Sequence, residues 1–289
     1  MVRMISNILI TVAVAYLAMC LLLFFFQSRF VYFPEFGRHD AATPRDAGLE
    51  YQQATISAPG ENLNAWFVPA PQARGVVLFF HGNGGSIAHR LEYLPMFQQL
   101  GFSVLIFDYR GFGKSGGKPS EQGTYQDAEA AWKYLLETRH IAPSSIVLYG
   151  ESLGGAVAAW LAARVKPRAL IIASTLTSVP DLAAKHYYMF PVRLLTRYQY
   201  NTREYLQAVT CPVLILHSRE DEIVPFVHGE RLFAAAREPK QFLEIRGDHN
   251  TGLFQSRDLW MKGVGAFLDR YFSTGRRVER IESVNEDGT

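Results

Sequence analysis

The residues best placed to do chemistry are Gly150-Glu151-Ser152-Leu153-Gly154-Gly155, which follow the apolar run Ile146 to Tyr149 and open an alanine-rich stretch. A serine held in a sharp strand-to-helix turn needs glycine neighbours, because the backbone is strained and flanking side chains would clash. Its Oγ then projects over the sheet at a helix N-terminus that favours developing negative charge. A glycine-rich packing turn would not need serine at its centre. Serine is a weak nucleophile until a base takes its proton, and histidine has the right pKa for that task. His249, in Gly247-Asp248-His249-Asn250, falls after the last strand pattern, whereas His81 and His217 end strands and read as structural.

The base needs an acid on its far side to fix its tautomer. Asp221 follows the strand pattern Val213 to His217 by four residues, with Glu220 and Glu222 as close rivals. The chain order Ser152, Asp221, His249 suits a strand-turn-helix nucleophile of this kind, and Ile223-Val224-Pro225 would pin the loop after the acid. Acyl transfer also needs two oxyanion donors. The Leu153 amide supplies one and the Asn83 amide, in His81-Gly82-Asn83-Gly84-Gly85 after the strand Val76 to Phe80, supplies the second. A phosphate cradle there would want a Lys and a Ser or Thr in P-loop arrangement, which are absent nearby.

These residues must be positioned by a framework, and short apolar runs alternating with helical patterns provide one. Strand patterns fall at 52–58, 63–68, Val76–Phe80, Val104–Asp108, Ile146–Tyr149, Ala169–Ala173, Val213–His217 and Phe242–Ile245, and helical patterns at 87–99, 121–139, 153–165, 226–237 and 254–272. Nearly continuous apolar strands between helices specify an α/β domain with a mainly parallel eight-stranded sheet covered on both faces. Residues 176–207 interrupt the rhythm and are too long for a plain connection, so they are expected to form a small helical cap. Within it Tyr187, Tyr188, Met189 and Phe190 are expected to offer apolar surface to a substrate.

The run from Ile8 to Phe26 carries no charge, and as a helix it spans roughly 28 Å, close to a bilayer core. It ends in three phenylalanines and a glutamine where a cleaved signal would end in small residues. Residues 1–28 are therefore expected to be a membrane anchor, 29–50 a linker, 51–272 the catalytic domain and 273–289 a flexible tail. The side of the membrane stays open, because Arg3 lies before the span and Arg29, Arg38 and Arg45 after it. A net charge of +2 gives no argument for nucleic acid, and two cysteines among 289 residues build no disulfide framework.

His81 to Gly85, Asp108-Tyr109-Arg110-Gly111-Phe112-Gly113-Lys114-Ser115, Gly150 to Gly155, Asp221 and Gly247 to Asn250 together resemble the α/β-hydrolase superfamily. More narrowly the chain resembles its N-terminally anchored serine hydrolases related to eukaryotic protein depalmitoylases and their bacterial counterparts, over residues 60–272. The resemblance implies the triad Ser152, Asp221 and His249, an oxyanion hole at Leu153 and Asn83, and a structural role for the Asp108 to Ser115 turn. Ser218 departs from it, since glycine is frequent there. The expected activity is hydrolysis of carboxylic esters or thioesters with long acyl chains, with no metal or organic cofactor. A serine peptidase of the same fold and an inactive membrane-tethered binding protein are the alternatives.

Overall fold

Strands buried along their whole length need cover on both faces, and this requirement organises the fold of the computed structural model, which describes residues 1–34 and 42–272 apart from the Leu253 side chain. The N-terminal helix α1 is Val2–Phe25. It is long and apolar enough to cross a membrane, and most of its side chains are exposed. The strands are β1 Gln52–Ala58, β2 Glu61–Val68, β3 Gly75–Phe80, β4 Phe102–Phe107, β5 Ile146–Glu151, β6 Ala169–Ala173, β7 Val213–Ser218 and β8 Lys240–Ile245. They form one sheet in the order β1-β2-β4-β3-β5-β6-β7-β8. β1 and β2 run antiparallel to their neighbours, and every later pairing is parallel, for example Phe79 with Tyr149 and Gly150 with Ile172. β3, β4 and β7 are buried at every residue, whereas β1 alternates as a sheet-edge strand with one solvated face should.

The helices between the strands, α2 Tyr93–Gln99, α3 Glu121–Lys133 and α4 Leu153–Ala162, are followed by the cap helices α5 Val179–His186, α6 Val192–Leu195 and α7 Thr202–Leu206, then by α8 Phe226–Ala235 and α9 Arg257–Tyr271. One face of the sheet packs Ala128, Trp132, Val157, Leu161 and Leu232 from α3, α4 and α8. The other packs Phe97, Trp260, Val264 and Phe267 from α2 and α9.

Three helical patterns end differently from expectation. The 87–99 pattern divides into a 3-10 turn at Ile87–Arg90, capped by Ser86, and α2. The 121–139 pattern is α-helical to Lys133 and finishes in a wider turn over Tyr134–Thr138. The 254–272 pattern is broken at Ser256, whose hydroxyl accepts from Arg246 N at 2.6 Å and donates to Arg246 O at 3.0 Å, tying the break to the end of β8.

Some described residues of the segment expected as linker pack on the domain. Tyr32 is buried in the core, its hydroxyl 2.7 Å from that of Tyr200, and Phe33 pairs with Gly84 in an isolated bridge. Thr43 caps a turn at Pro44–Ala47, and Leu49 is buried. The expected linker residues 35–41 and the expected tail 273–289 lie outside the described residues.

Candidate active site

Ser152 stands between β5 and α4 with φ 52° and ψ −122°, a strained backbone for a residue with a side chain. The turn is possible because Gly150 and Gly154 admit close backbone approach: a Cβ on Gly154 would collide with Phe80 O, and one on Gly150 with Gly154 O. The strain aims Oγ at His249 Nε2, 3.0 Å away, and His249 Nδ1 lies 2.8 Å from Asp221 Oδ2. Asp221 Oδ1 accepts the backbone amides of Val224 at 2.7 Å and Ile223 at 3.1 Å, so the loop ahead of Pro225 holds the acid from behind.

The two acids weighed against Asp221 take other posts. Glu220 accepts the Gly247 amide at 3.1 Å and Glu222 the His249 amide at 3.2 Å, so both brace the histidine loop. Asp248 accepts the Thr251 amide and also that of Asn250; the Thr251 bond first of all holds its carboxyl below the usual range, and both turn the chain after His249. His217 is buried and donates from Nε2 to Val224 O at 2.7 Å; burial lowers its pKa, so a neutral ring lies beside Asp221. His81 is also fully buried and pushed down to about 3, by burial first, and its Nδ1 donates to Gly82 O at 2.8 Å. Both histidines support loops that reach the site.

The loop carrying Asn83 is fastened from three sides. Asp108 Oδ1 accepts the Ile87 amide at 2.9 Å, and Asp108 Oδ2 accepts from Asn64 at 2.7 Å. Arg90 pairs with Glu151 and donates to Gly84 O at 3.4 Å and to His89 O at 3.1 Å, so it links this loop to the residue before Ser152. The strap 31–33 closes the third side: Phe33 N donates to Asn83 O at 2.8 Å, Gly85 N to Phe33 O at 3.3 Å, and Asn83 Nδ2 to Val31 O at 2.8 Å. The backbone N–H groups of Asn83 and Leu153 donate to no acceptor among the described residues.

Two cavities meet at Ser152, sharing Phe33, Asn83, Ser152 and Ile223. The larger, about 600 Å³, includes Arg90, Glu92, Glu151, His249 and Asn250 in its lining. The other, about 440 Å³, is apolar and lies between the cap and the chain that follows α1, with Leu23, Phe30, Leu182, Leu195 and Val224 among its walls. Of the four cap residues expected to face substrate, Tyr187 alone lines it. α5 ends at His186, and the chain then turns outward, leaving Tyr188 80% and Met189 69% exposed, while Phe190 stacks on Tyr16 of α1 with ring centroids 5.5 Å apart. Sequence reasoning missed the walls supplied by Leu23, Gln27, Phe30 and Val31, and the Arg90–Glu151 pair. The aromatic cluster Phe30, Tyr32, Phe33 was the available signal, and it suits a lipid headgroup zone equally well.

Residues 71–203 match the family described as serine aminopeptidase, S33. A protein of Mycobacterium tuberculosis is 38% identical over 250 residues, covering 84% of this chain and 87% of that one. The Alpha/beta hydrolase domain-containing protein WAV2 of Arabidopsis thaliana is 34% identical over 287 residues, covering 89% of this chain and 92% of that one. Among solved structures, the Pyrococcus furiosus esterase Pf2001 superposes with a TM-score of 0.68 at 22% identity, covering 81% of this chain and 97% of that one, a likeness of fold. With these relatives matched over most of their length, the chain belongs to the α/β-hydrolase superfamily.

Proposed function

We propose that the protein is a membrane-anchored serine hydrolase that cleaves long-chain acyl esters or thioesters through an acyl-enzyme on Ser152. The observation that carries this is the apolar cavity of about 440 Å³ that opens onto Ser152 beside the Leu153 and Asn83 amides. Ser152 Oγ attacks the acyl carbonyl carbon while its proton passes to His249 Nε2, and Asp221 stabilises the imidazolium through Nδ1. The Leu153 and Asn83 amides hold the oxyanion. Collapse expels the alkoxide or thiolate, which takes the proton from His249. Water then repeats the sequence, releasing the carboxylic acid and restoring Ser152. Each step uses side chains and amides of the chain itself.

Retention of α1 as an anchor is supported by contacts that Leu23 of α1 and Gln27, just after the helix, make with the domain. Gln27 donates to Leu195 O at 2.6 Å, and Leu23 and Gln27 wall the cavity, so removing the segment would open it.

Peptidase activity is the second reading, favoured by the description of the matched family. An aminopeptidase needs an acid free to hold the substrate ammonium. Glu151, beside Ser152, is paired with Arg90, and Glu92, the other acid lining the larger cavity, is exposed. A panel of p-nitrophenyl esters from acetyl to palmitoyl, acyl thioesters and aminoacyl amides separates the readings, with Ser152→Ala as control. Turnover rising with acyl length is expected; turnover of the amides with none of the acyl series would overturn the proposal.

A further inference from the structure

We propose that the cap turn 187–195 lies in the hydrocarbon layer beside α1, so that the apolar cavity draws its acyl chain from a lipid bilayer. This rests on the anchor reading of α1. The cap is joined to the N-terminal segment at two heights. At one, the Tyr16 hydroxyl donates to Met189 O at 2.9 Å and its ring stacks on Phe190. At the other, Gln27 donates to Leu195 O at 2.6 Å and accepts the Arg197 amide at 2.8 Å. Tyr16 precedes Phe25 by nine residues, about 14 Å along a helix, which is near the midpoint of a bilayer core. A helix that spans the membrane therefore carries Met189 and Phe190 well below the headgroups.

The turn is chemically suited to that depth. Its nine residues, Tyr187-Tyr188-Met189-Phe190-Pro191-Val192-Arg193-Leu194-Leu195, carry a single charge, and Arg193 pairs with Asp181 at 2.8 Å. Apart from Arg193, which stays exposed while paired, the most exposed large side chains are apolar, with Leu194 85% exposed in addition to Tyr188 and Met189. Backbone polar groups in hydrocarbon must be satisfied internally. Here five of the eight amides, those of Tyr187, Phe190, Val192, Leu194 and Leu195, donate within the cap, and Met189 O is taken by Tyr16, while the Tyr188, Met189 and Arg193 amides have no acceptor among the described residues. In water this surface would be an unexplained apolar patch; continuous with the exposed face of α1, it fits lipid chains.

Cavity and lipid surface share the same wall. Tyr187, Val192 and Leu195 line the cavity on the cap side, and Leu23 and Phe30 line it on the α1 side. An acyl chain entering between them leaves lipid for protein without crossing water, while its reacting carbonyl comes to Ser152.

The test uses the full chain in phosphatidylcholine vesicles. Vesicle flotation of the wild type reports anchoring by α1 independently of the cap. Leu194→Trp adds one indole to four native tryptophans that are all buried in the domain. Its added emission is expected to be quenched by lipids brominated at mid-chain more strongly than by acrylamide. Acrylamide quenching with no effect of brominated lipid would overturn the proposal even where the protein floats with the vesicles. In parallel, Tyr188→Asp with Leu194→Asp should lower hydrolysis of a vesicle-embedded palmitoyl ester by about tenfold or more, given the unfavourable placement of carboxylates in hydrocarbon. Hydrolysis of p-nitrophenyl acetate in water should be unchanged. Undiminished palmitoyl hydrolysis by that variant would equally overturn the proposal. Absence of Ser152-dependent acetyl hydrolysis in the wild type would instead count against the catalytic reading and leave the quenching result standing.

Discussion

Deleting residues 1–33 is expected to cost catalysis where deleting residues 1–26 does not. Both deletions remove α1, but only the longer one removes the strap that holds the Asn83 loop. The strap supplies an acceptor for Asn83 Nδ2 at 2.8 Å, a donor to Asn83 O at 2.8 Å and an acceptor for Gly85 N at 3.3 Å, and it buries Tyr32 against Tyr198 and Tyr200. Each hydrogen bond contributes about 1 kcal/mol, and burial of the Tyr32 ring about 2 kcal/mol. Ordering the three strap residues takes back about 1–2 kcal/mol each, leaving a net contribution of at most about 2 kcal/mol that a domain of this size survives losing. Catalysis is more sensitive than stability, because an oxyanion donor that is no longer held in place costs on the order of 10²–10³ in kcat. Steady-state hydrolysis of p-nitrophenyl acetate, with thermal melts to verify folding, reads both effects. Two folded deletion variants with kcat values within about threefold of one another would refute a catalytic role for the strap.

Arg90→Met should destabilise the protein by about 3 kcal/mol in urea unfolding, because it strands Glu151 without its partner, and Arg90→Met with Glu151→Gln should recover most of that loss. Additive losses in the double variant would show that the pair is not coupled. Ala183→Phe, which places a ring in the apolar cavity, should flatten the chain-length dependence, which in the wild type should rise about fourfold per methylene from about 0.8 kcal/mol each until the cavity is full. An unchanged slope in the variant would move the acyl chain elsewhere. His81 and His228 are lowered by burial, to about 3 and about 4, so the unfolded chain binds their protons first. Their contribution to stability is complete above the unfolded pKa near 6.5 and is lost as pH falls toward the folded values, by up to about 1.4 kcal/mol per pH unit for each. Urea midpoints that rise between pH 7 and pH 5 would contradict this.

The sheet was legible because its strands are short, apolar and bounded by turn residues, and because alternation with helices leaves few topologies. The strand-turn-helix around Ser152 and the loops after β7 and β8 were legible for the same reason: their residue types answer to local geometry. The structure places Ser152, His249 and Asp221 in one hydrogen-bonded chain. Contacts between distant segments were not legible. Nothing local to Phe30 to Phe33 says that the segment meets Asn83, some fifty residues away, or that Tyr32 reaches Tyr200. The aromatic run at 187–190 announced an apolar surface without saying which way it faced, since that depends on where α5 ends. The choice among Glu220, Asp221 and Glu222 likewise rested on a loop whose shape is set by hydrogen bonds from Ile223, Val224, Gly247 and His249.

The central claim is that Ser152 is a nucleophile activated by His249. Intact-protein mass spectrometry of the full chain after reaction with a fluorophosphonate tests it most directly. The expected result is one adduct mapped to Ser152, none on folded Ser152→Ala, and a labelling rate lowered on the order of 10³-fold or more in His249→Ala. An adduct of equal yield on Ser152→Ala, or a folded His249→Ala variant that labels at more than about a tenth of the wild-type rate, would contradict it.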